Sequence, residues 1–316
     1  MTTPLLFGPY GSASIEHAAR FADYGANAFW FHGFDPQAFE ACQKHQIAAC
    51  VEFKTFRADF KTHPELIPIG VDGKPIRYGD LVQGVCLSQV EFLQATEESL
   101  LDGLRSFQPA GIWLDYLTYA GWFETPDPDL QESCFCPSCI ADFCESLQID
   151  AESPPLILQR YPDQWERHKC ERIASFTAQY VKIIKSHLPD CIVGAYMCPW
   201  RPDEYEGALN RIFAQDYALM APAIDIFTPL IYVKKSGRSA EWGREFLTQA
   251  NDFIPSERKV QLILDALDFP DSLLATADSA EPSWGLQMFG GAEVFGDPIK
   301  AEIFRIAVKK IQEKAT

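Results

Sequence analysis

The chain has 316 residues, 44 acidic and 27 basic, for a formal net charge of −17. With 47% hydrophobic and 22% charged residues it is globular, neither disordered nor collagen-like. The charge argues against nucleic acid or an anionic membrane surface as a partner, because both need a basic face.

No apolar run reaches the roughly 18 residues that span a bilayer. The start, Met1 to Leu6, lacks the basic and apolar segments of a signal peptide, so the expected location is cytoplasmic. Ten cysteines in a reducing compartment are expected as buried thiols or metal ligands.

Short apolar runs alternate with amphipathic stretches along the whole chain. Leu5 to Tyr10 is the first run, followed by a helical pattern over Ser14 to Tyr24. Ala26 to His32 precedes helical Asp35 to Gln46, and Ile47 to Phe53 is the third run. A Pro- and Gly-rich segment at about 56–85 reads as a long loop. Ser88-Gln89-Val90-Glu91 reads as a capping box that opens a helix to about Phe107. Gly111 to Tyr116 is the fourth strand. The pattern then breaks over about 120–165, and helical periodicity resumes near Glu166, with Ile173, Phe176, Tyr180, Ile184 and His187 on one face.

Cys191 to Met197 and Ile224 to Tyr232 are strands five and six. They are followed by helical Glu204 to Leu219 and Ala240 to Phe253. Val260 to Ala266 precedes helical Asp271 to Asp278, and Trp284 to Phe289 is the eighth strand. The last helix opens at Asp297-Pro298 and places Ile299, Ile303, Ile306 and Ile311 on one side. Eight strands, each followed by a helix, predict a (β/α)₈ TIM barrel, one α/β domain over 1–316 with long loops after strands three and four. Gly8-Pro9-Tyr10-Gly11 is not a dinucleotide fingerprint.

Active sites of such barrels lie at the C-terminal ends of the strands. Asp115 is one charge ending the apolar strand Gly111-Ile112-Trp113-Leu114, and burying a carboxylate there needs a reason. Asp265 closes Val260 to Leu264 in the same manner, and Glu52 stands in Cys50-Val51-Glu52-Phe53-Lys54. Tyr10, His32, Tyr119, Trp122, Trp200 and Tyr232 are candidates to stack on or bind a sugar ring. Two carboxylates across a glycosidic bond are the chemistry of glycoside hydrolysis. The alternative is a carbohydrate-binding barrel without turnover. Sequence leaves the oligomeric state open. Cys134-x-Cys136-x₂-Cys139 is a compact thiolate set for zinc, and no organic cofactor is expected.

The run Gly111 to Tyr119, followed by Cys134-Phe135-Cys136-Pro137-Ser138-Cys139 and Phe143, resembles the hypothetical glycoside-hydrolase-like barrels. The segment from Pro64-Glu65-Leu66 through Asp72-Gly73-Lys74-Pro75 resembles their third βα loop. The resemblance runs from strand one to strand eight and implies a TIM barrel that cleaves glycosidic bonds. In related retaining barrels an Asp ending strand four is the nucleophile, which implies that role for Asp115. Strand six ends without a carboxylate and strand four without an Asn-Glu pair, so the acid/base is open: Asp265 first, with Glu52, Glu124 and Glu204 as the alternatives. One upstream cysteine with C-x-C-x₂-C is similar to the structural zinc site of certain bacterial β-galactosidase barrels. That similarity implies Cys86 as the fourth ligand, ahead of nearby Cys144.

Overall fold

The computed structural model describes residues 4–76, 84–150 and 152–315, so part of the expected loop at 56–85, residues 77–83, lies outside them. Eight parallel strands close into a barrel. They are β1 (Leu6–Tyr10), β2 (Ala28–His32), β3 (Ala48–Lys54), β4 (Gly111–Asp115), β5 (Ile192–Met197), β6 (Ile226–Ile231), β7 and β8 (Gly285–Phe289). Strand β7 has two pieces, Lys259–Val260 and Leu262–Asp265, on either side of buried Gln261. Each strand pairs with the next in sequence, and β8 pairs with β1, so the expected TIM barrel is the observed fold.

The period of two along each strand sorts the side chains. Phe7, Phe29, Phe31, Val51, Ile112, Leu114 and Phe227 point outward into the layer beneath the helices. Tyr10, Trp30, Cys50, Trp113, Tyr196 and Ile263 fill the barrel interior. Trp113 claims so much of that interior that β5 carries a glycine opposite it. A Cβ at Gly194 would come 2.3 Å from the Trp113 indole nitrogen.

The helices are α1 (Pro36–His45), α2 (Val90–Ser106), α3 (Pro137–Leu147), α4 (Pro154–Arg160), α5 (Pro162–His187), α6 (Ala208–Arg211), α7 (Tyr217–Met220), α8 (Trp242–Ala250), α9 (Asp271–Ala277), α10 (Gly291–Phe295) and α11 (Pro298–Lys314). Several differ from the sequence expectation. The first crossover is 3₁₀ turns, Ser12–Arg20 and Ala22–Tyr24, instead of an α-helix. Ser88 does not cap α2. The N-cap is Gln89, which makes no side-chain cap bond, and the Ser88 hydroxyl instead lies 3.1 Å from the Cys139 sulfur.

The stretch at 120–165 is not structureless either. It holds α3, α4 and the start of α5, each opening on a proline. The single helix expected over Glu204 to Leu219 is broken into short pieces by positive φ at Tyr205, Gly207 and Ala214. On α11 the buried face is Ala301, Phe304, Ala307, Val308 and Ile311, while Ile299 is 74% and Ile306 44% exposed. Among the described residues no helix is long and apolar enough to cross a membrane.

Candidate active site and thiolate cluster

Three adjacent strands deliver the first side of the barrel mouth. The register places His32 beside Glu52 and Lys54 beside Asp115. Glu52 is only 1% exposed; its Oε2 is hydrogen-bonded to His32 Nδ1, and its Oε1 lies 3.8 Å from Lys54 Nζ. Glu52 and Asp115 face the barrel interior from neighbouring strands, and each carboxyl acts on the titration of the other. Asp115 Oδ1 also accepts from the Tyr116 amide at 2.8 Å. The end of β4 is pinned because the Asp115 carbonyl accepts from Thr55 N at 2.9 Å and Thr55 Oγ1 at 2.6 Å. Tyr116 then turns the chain with φ of 58°, a left-handed conformation that non-glycine residues seldom adopt away from functional turns.

The pair is electrostatically asymmetric. Burial pushes Glu52 up, but hydrogen bonds from His32 and Asp115 and the nearby positive charges hold it below the ordinary carboxylate range. Burial pushes Asp115 well above that range, and the Glu52 charge beside it adds to the rise.

The opposite side is built from two loops and β7. Asp265 Oδ2 lies 2.9 Å from Lys235 Nζ, and Glu124 Oε2 lies 3.5 Å from the same ammonium. Lys235 also sits over the rings of Tyr232 and Phe289, 4.4 and 4.5 Å from their centroids. Asp268 fixes the loop that carries it, accepting from Val233 N at 2.7 Å and Lys234 N at 2.9 Å. Asp265 uses its other oxygen to cap the turn after β7, accepting from Leu267 N at 2.9 Å. Burial raises Glu124 above the ordinary range against the opposing pull of Lys235.

Asp115 and Glu124 line one pocket of about 60 Å³, together with Tyr116, Trp122, Phe123 and Tyr196. Of the aromatic candidates, Trp122 is half-buried at this pocket and stacks on Phe123. His32 is 44% exposed, with Tyr10 edge-on against it and the Tyr10 hydroxyl 3.5 Å from Nδ1. Tyr232 is buried beneath Lys235. Trp200 is 1% exposed and packed against Tyr205 and Phe213, below the open surface. Tyr119 is buried beside Lys169, near the cysteines rather than on the pocket wall.

The sequence offers Glu124 only as an alternative acid/base behind Asp265, and Lys235 is not singled out by it at all. The available signal was Lys234-Lys235, two adjacent cations directly after strand six in an acidic chain.

The second cluster lies behind these loops. The sulfurs of Cys86, Cys134, Cys136 and Cys139 are all within 4.8 Å of one another. Cys86 Sγ is 3.6 Å from Cys136 Sγ and 3.7 Å from Cys139 Sγ. A tetrahedron with zinc–sulfur bonds of about 2.3 Å has sulfur–sulfur edges of about 3.8 Å, so the spacing fits that metal. Backbone amides of Ile69 and Cys139 donate to the Cys134 and Cys136 sulfurs at 3.2 and 3.4 Å, which suits thiolates. Cys86 ends the loop after β3, and the other three belong to the loop after β4 and the start of α3. The cluster therefore ties together the two loops that flank Asp115.

No family model matches the chain, and no curated protein matches it. Solved structures do. The glycoside hydrolase domain of PgaB (BpsB) from Bordetella bronchiseptica matches 97% of this chain and 99% of its own, with a TM-score of 0.73 and 11% identity. The β-galactosidase of the Antarctic haloarchaeon Halorubrum lacusprofundi matches 99% of this chain at a TM-score of 0.67 and 12% identity, and the match spans 58% of that longer chain. An endo-1,4-β-mannanase from Eisenia fetida matches 97% of this chain and 91% of its own at 0.52 and 10%. The neighbours are glycoside hydrolases, and at these identities the likeness is one of fold.

Proposed function

We propose that the protein is a glycoside hydrolase acting on an oligosaccharide or glycoside. The observation that carries this reading is that Asp115 and Glu124 line one aromatic-walled pocket at the barrel mouth. Glycosidic cleavage needs one carboxyl that gives a proton to the leaving oxygen and a second that attacks the sugar or activates water. Asp115, buried against an ionised Glu52, suits the proton donor. That differs from the nucleophile role implied by the resemblance. Glu124, 3.5 Å from Lys235, suits the ionised partner. Asp265 is engaged by Lys235 and by the turn it caps, and it serves the site by holding Lys235. Tyr116 and Trp122 offer ring faces for stacking on a sugar.

Incubation with a panel of nitrophenyl glycosides and natural oligosaccharides tests the proposal. Turnover of at least one, abolished in Glu124→Gln, supports it. Saturable glycan binding without turnover would make the protein a carbohydrate-binding barrel instead.

For the thiolate cluster we propose a structural zinc held by Cys86, Cys134, Cys136 and Cys139. Four thiolates leave no open position for chemistry on the metal. Its contribution is to cross-link the loop after β3, where Arg57 lies against the Tyr116 ring, to the loop after β4, which carries Glu124. Nine of the ten cysteines are buried and four gather in one metal-sized cluster, and a reducing, cytoplasmic setting suits such thiols.

A further inference from the structure

We propose that His32, Glu52 and Asp115 form one proton-holding relay across β2, β3 and β4, in which His32 keeps Glu52 ionised and Glu52 keeps a proton on Asp115. Only its use in cleavage rests on the hydrolase reading above. Two neighbouring buried carboxyl groups repel each other as carboxylates, which have only acceptors, and hold together when one of them keeps a proton. The surroundings decide which one carries it.

Glu52 is enclosed by donors: His32 Nδ1 on one oxygen and Lys54 Nζ 3.8 Å from the other. Asp115 has one backbone amide, from Tyr116 at 2.8 Å, besides Glu52 itself. The charge therefore settles on Glu52 and the proton on Asp115. From β1, β5 and β6 the facing groups are the phenols of Tyr10, Tyr196 and Tyr232, all pushed up by burial and thus neutral. The β4 loop contributes Tyr116, also pushed up, and Glu124. The nearby positive charges are Lys54 and, against the Tyr116 ring, Arg57.

The arrangement makes Glu52 and His32 positioning residues. Neither needs to touch the scissile bond. When Asp115 gives its proton away, two carboxylates are left in contact, and their repulsion favours prompt recapture of a proton from water.

Infrared titration of the intact protein reads this without any substrate. We expect a protonated-carboxyl band at pH 7 in the wild type that vanishes in Asp115→Asn, which assigns it. In Glu52→Gln the amide donates to residue 115 and carries no charge, so the band should titrate away at lower pH than in the wild type, burial alone holding the rest of the shift. Absence of the band from the folded wild type, or its persistence unchanged in Glu52→Gln, would overturn the relay. The wild-type spectrum alone decides the first point should Glu52→Gln fail to fold. A band that behaves as expected in a protein that turns over no glycan would leave the relay standing and remove the hydrolase reading. Turnover without the band would do the reverse.

Discussion

The two sides of the barrel mouth bury the same kind of group by opposite means. On the β3–β4 side, Glu52 and Asp115 sit in contact and share a proton, with His32 and Lys54 securing the charge on Glu52. On the far side, Glu124 and Asp265 do not share a proton but a cation, Lys235, held over Tyr232 and Phe289. A buried carboxylate costs several kcal/mol unless it is neutralised or paired. One side neutralises and the other pairs. That difference gives the pocket one carboxyl able to donate a proton and one able to act as a base, which is the division of labour that general acid–base chemistry requires.

The most direct way to break the comparison is to remove the shared proton. Asp115→Asn keeps the shape and still donates to Glu52, so it should fold. We expect turnover of substrates with poor leaving groups to fall by about 10³-fold, the middle of the range for a general acid. Activated aryl glycosides should fall much less, since their leaving groups need little protonation. Equal losses on both classes would move the proton donor to another residue.

Removing the shared cation tests the other side. Lys235→Met keeps most of the stem and deletes the charge. Glu124 then loses the one group that opposes the effect of burial, so its carboxyl should titrate still higher. The acid limb of the pH–rate profile should move up with it, with activity at neutral pH reduced several-fold and recovering as the pH rises. An unmoved limb would separate Glu124 from the rate.

Metal removal addresses what holds the two sides in place. Protein purified without chelator should carry about one zinc per chain, and Cys136→Ser should lose it together with several degrees of melting temperature. Well below one zinc in freshly reduced protein would count against the site.

What the sequence revealed of this mouth follows from the physics of strands. Asp115 and Glu52 are legible because each is a lone charge in an apolar run, and the register of neighbouring strands fixes where such residues meet. The cysteines are legible because three lie within six residues. Glu124 and Lys235 sit on loops, where no period fixes direction, and their meeting depends on backbone bonds such as those from Asp268 to Val233 and Lys234. The helices at 137–147 and 154–160 were hidden by prolines that read as loop punctuation but stand at the first helical turn. On the last helix, Ile299 and Ile306 at helical spacing outweighed the smaller Ala301, Ala307 and Val308, which face the core with Phe304 and Ile311.

The smallest expected effect is on stability against pH, and it separates the two members of the shared-proton pair. Asp115 titrates well above its ordinary range in the folded protein and at about 3.9 when unfolded. Between those values the native state holds the extra proton, so stability declines as pH rises through that window, by at most about 1.36 kcal/mol per pH unit for one proton. Glu52 has the opposite sign. Its folded value is depressed, so its contribution is present above about 4.3 and is lost as pH falls through the folded value. The two effects therefore fall on opposite sides of about pH 4. Urea midpoints collected from pH 3 to 8 should show a shallower decline above pH 4 in Asp115→Asn than in the wild type, while the loss below pH 4 stays. Parallel curves above pH 4 would mean that Asp115 is ionised in the resting protein, and that both sides of the mouth then rely on cations alone.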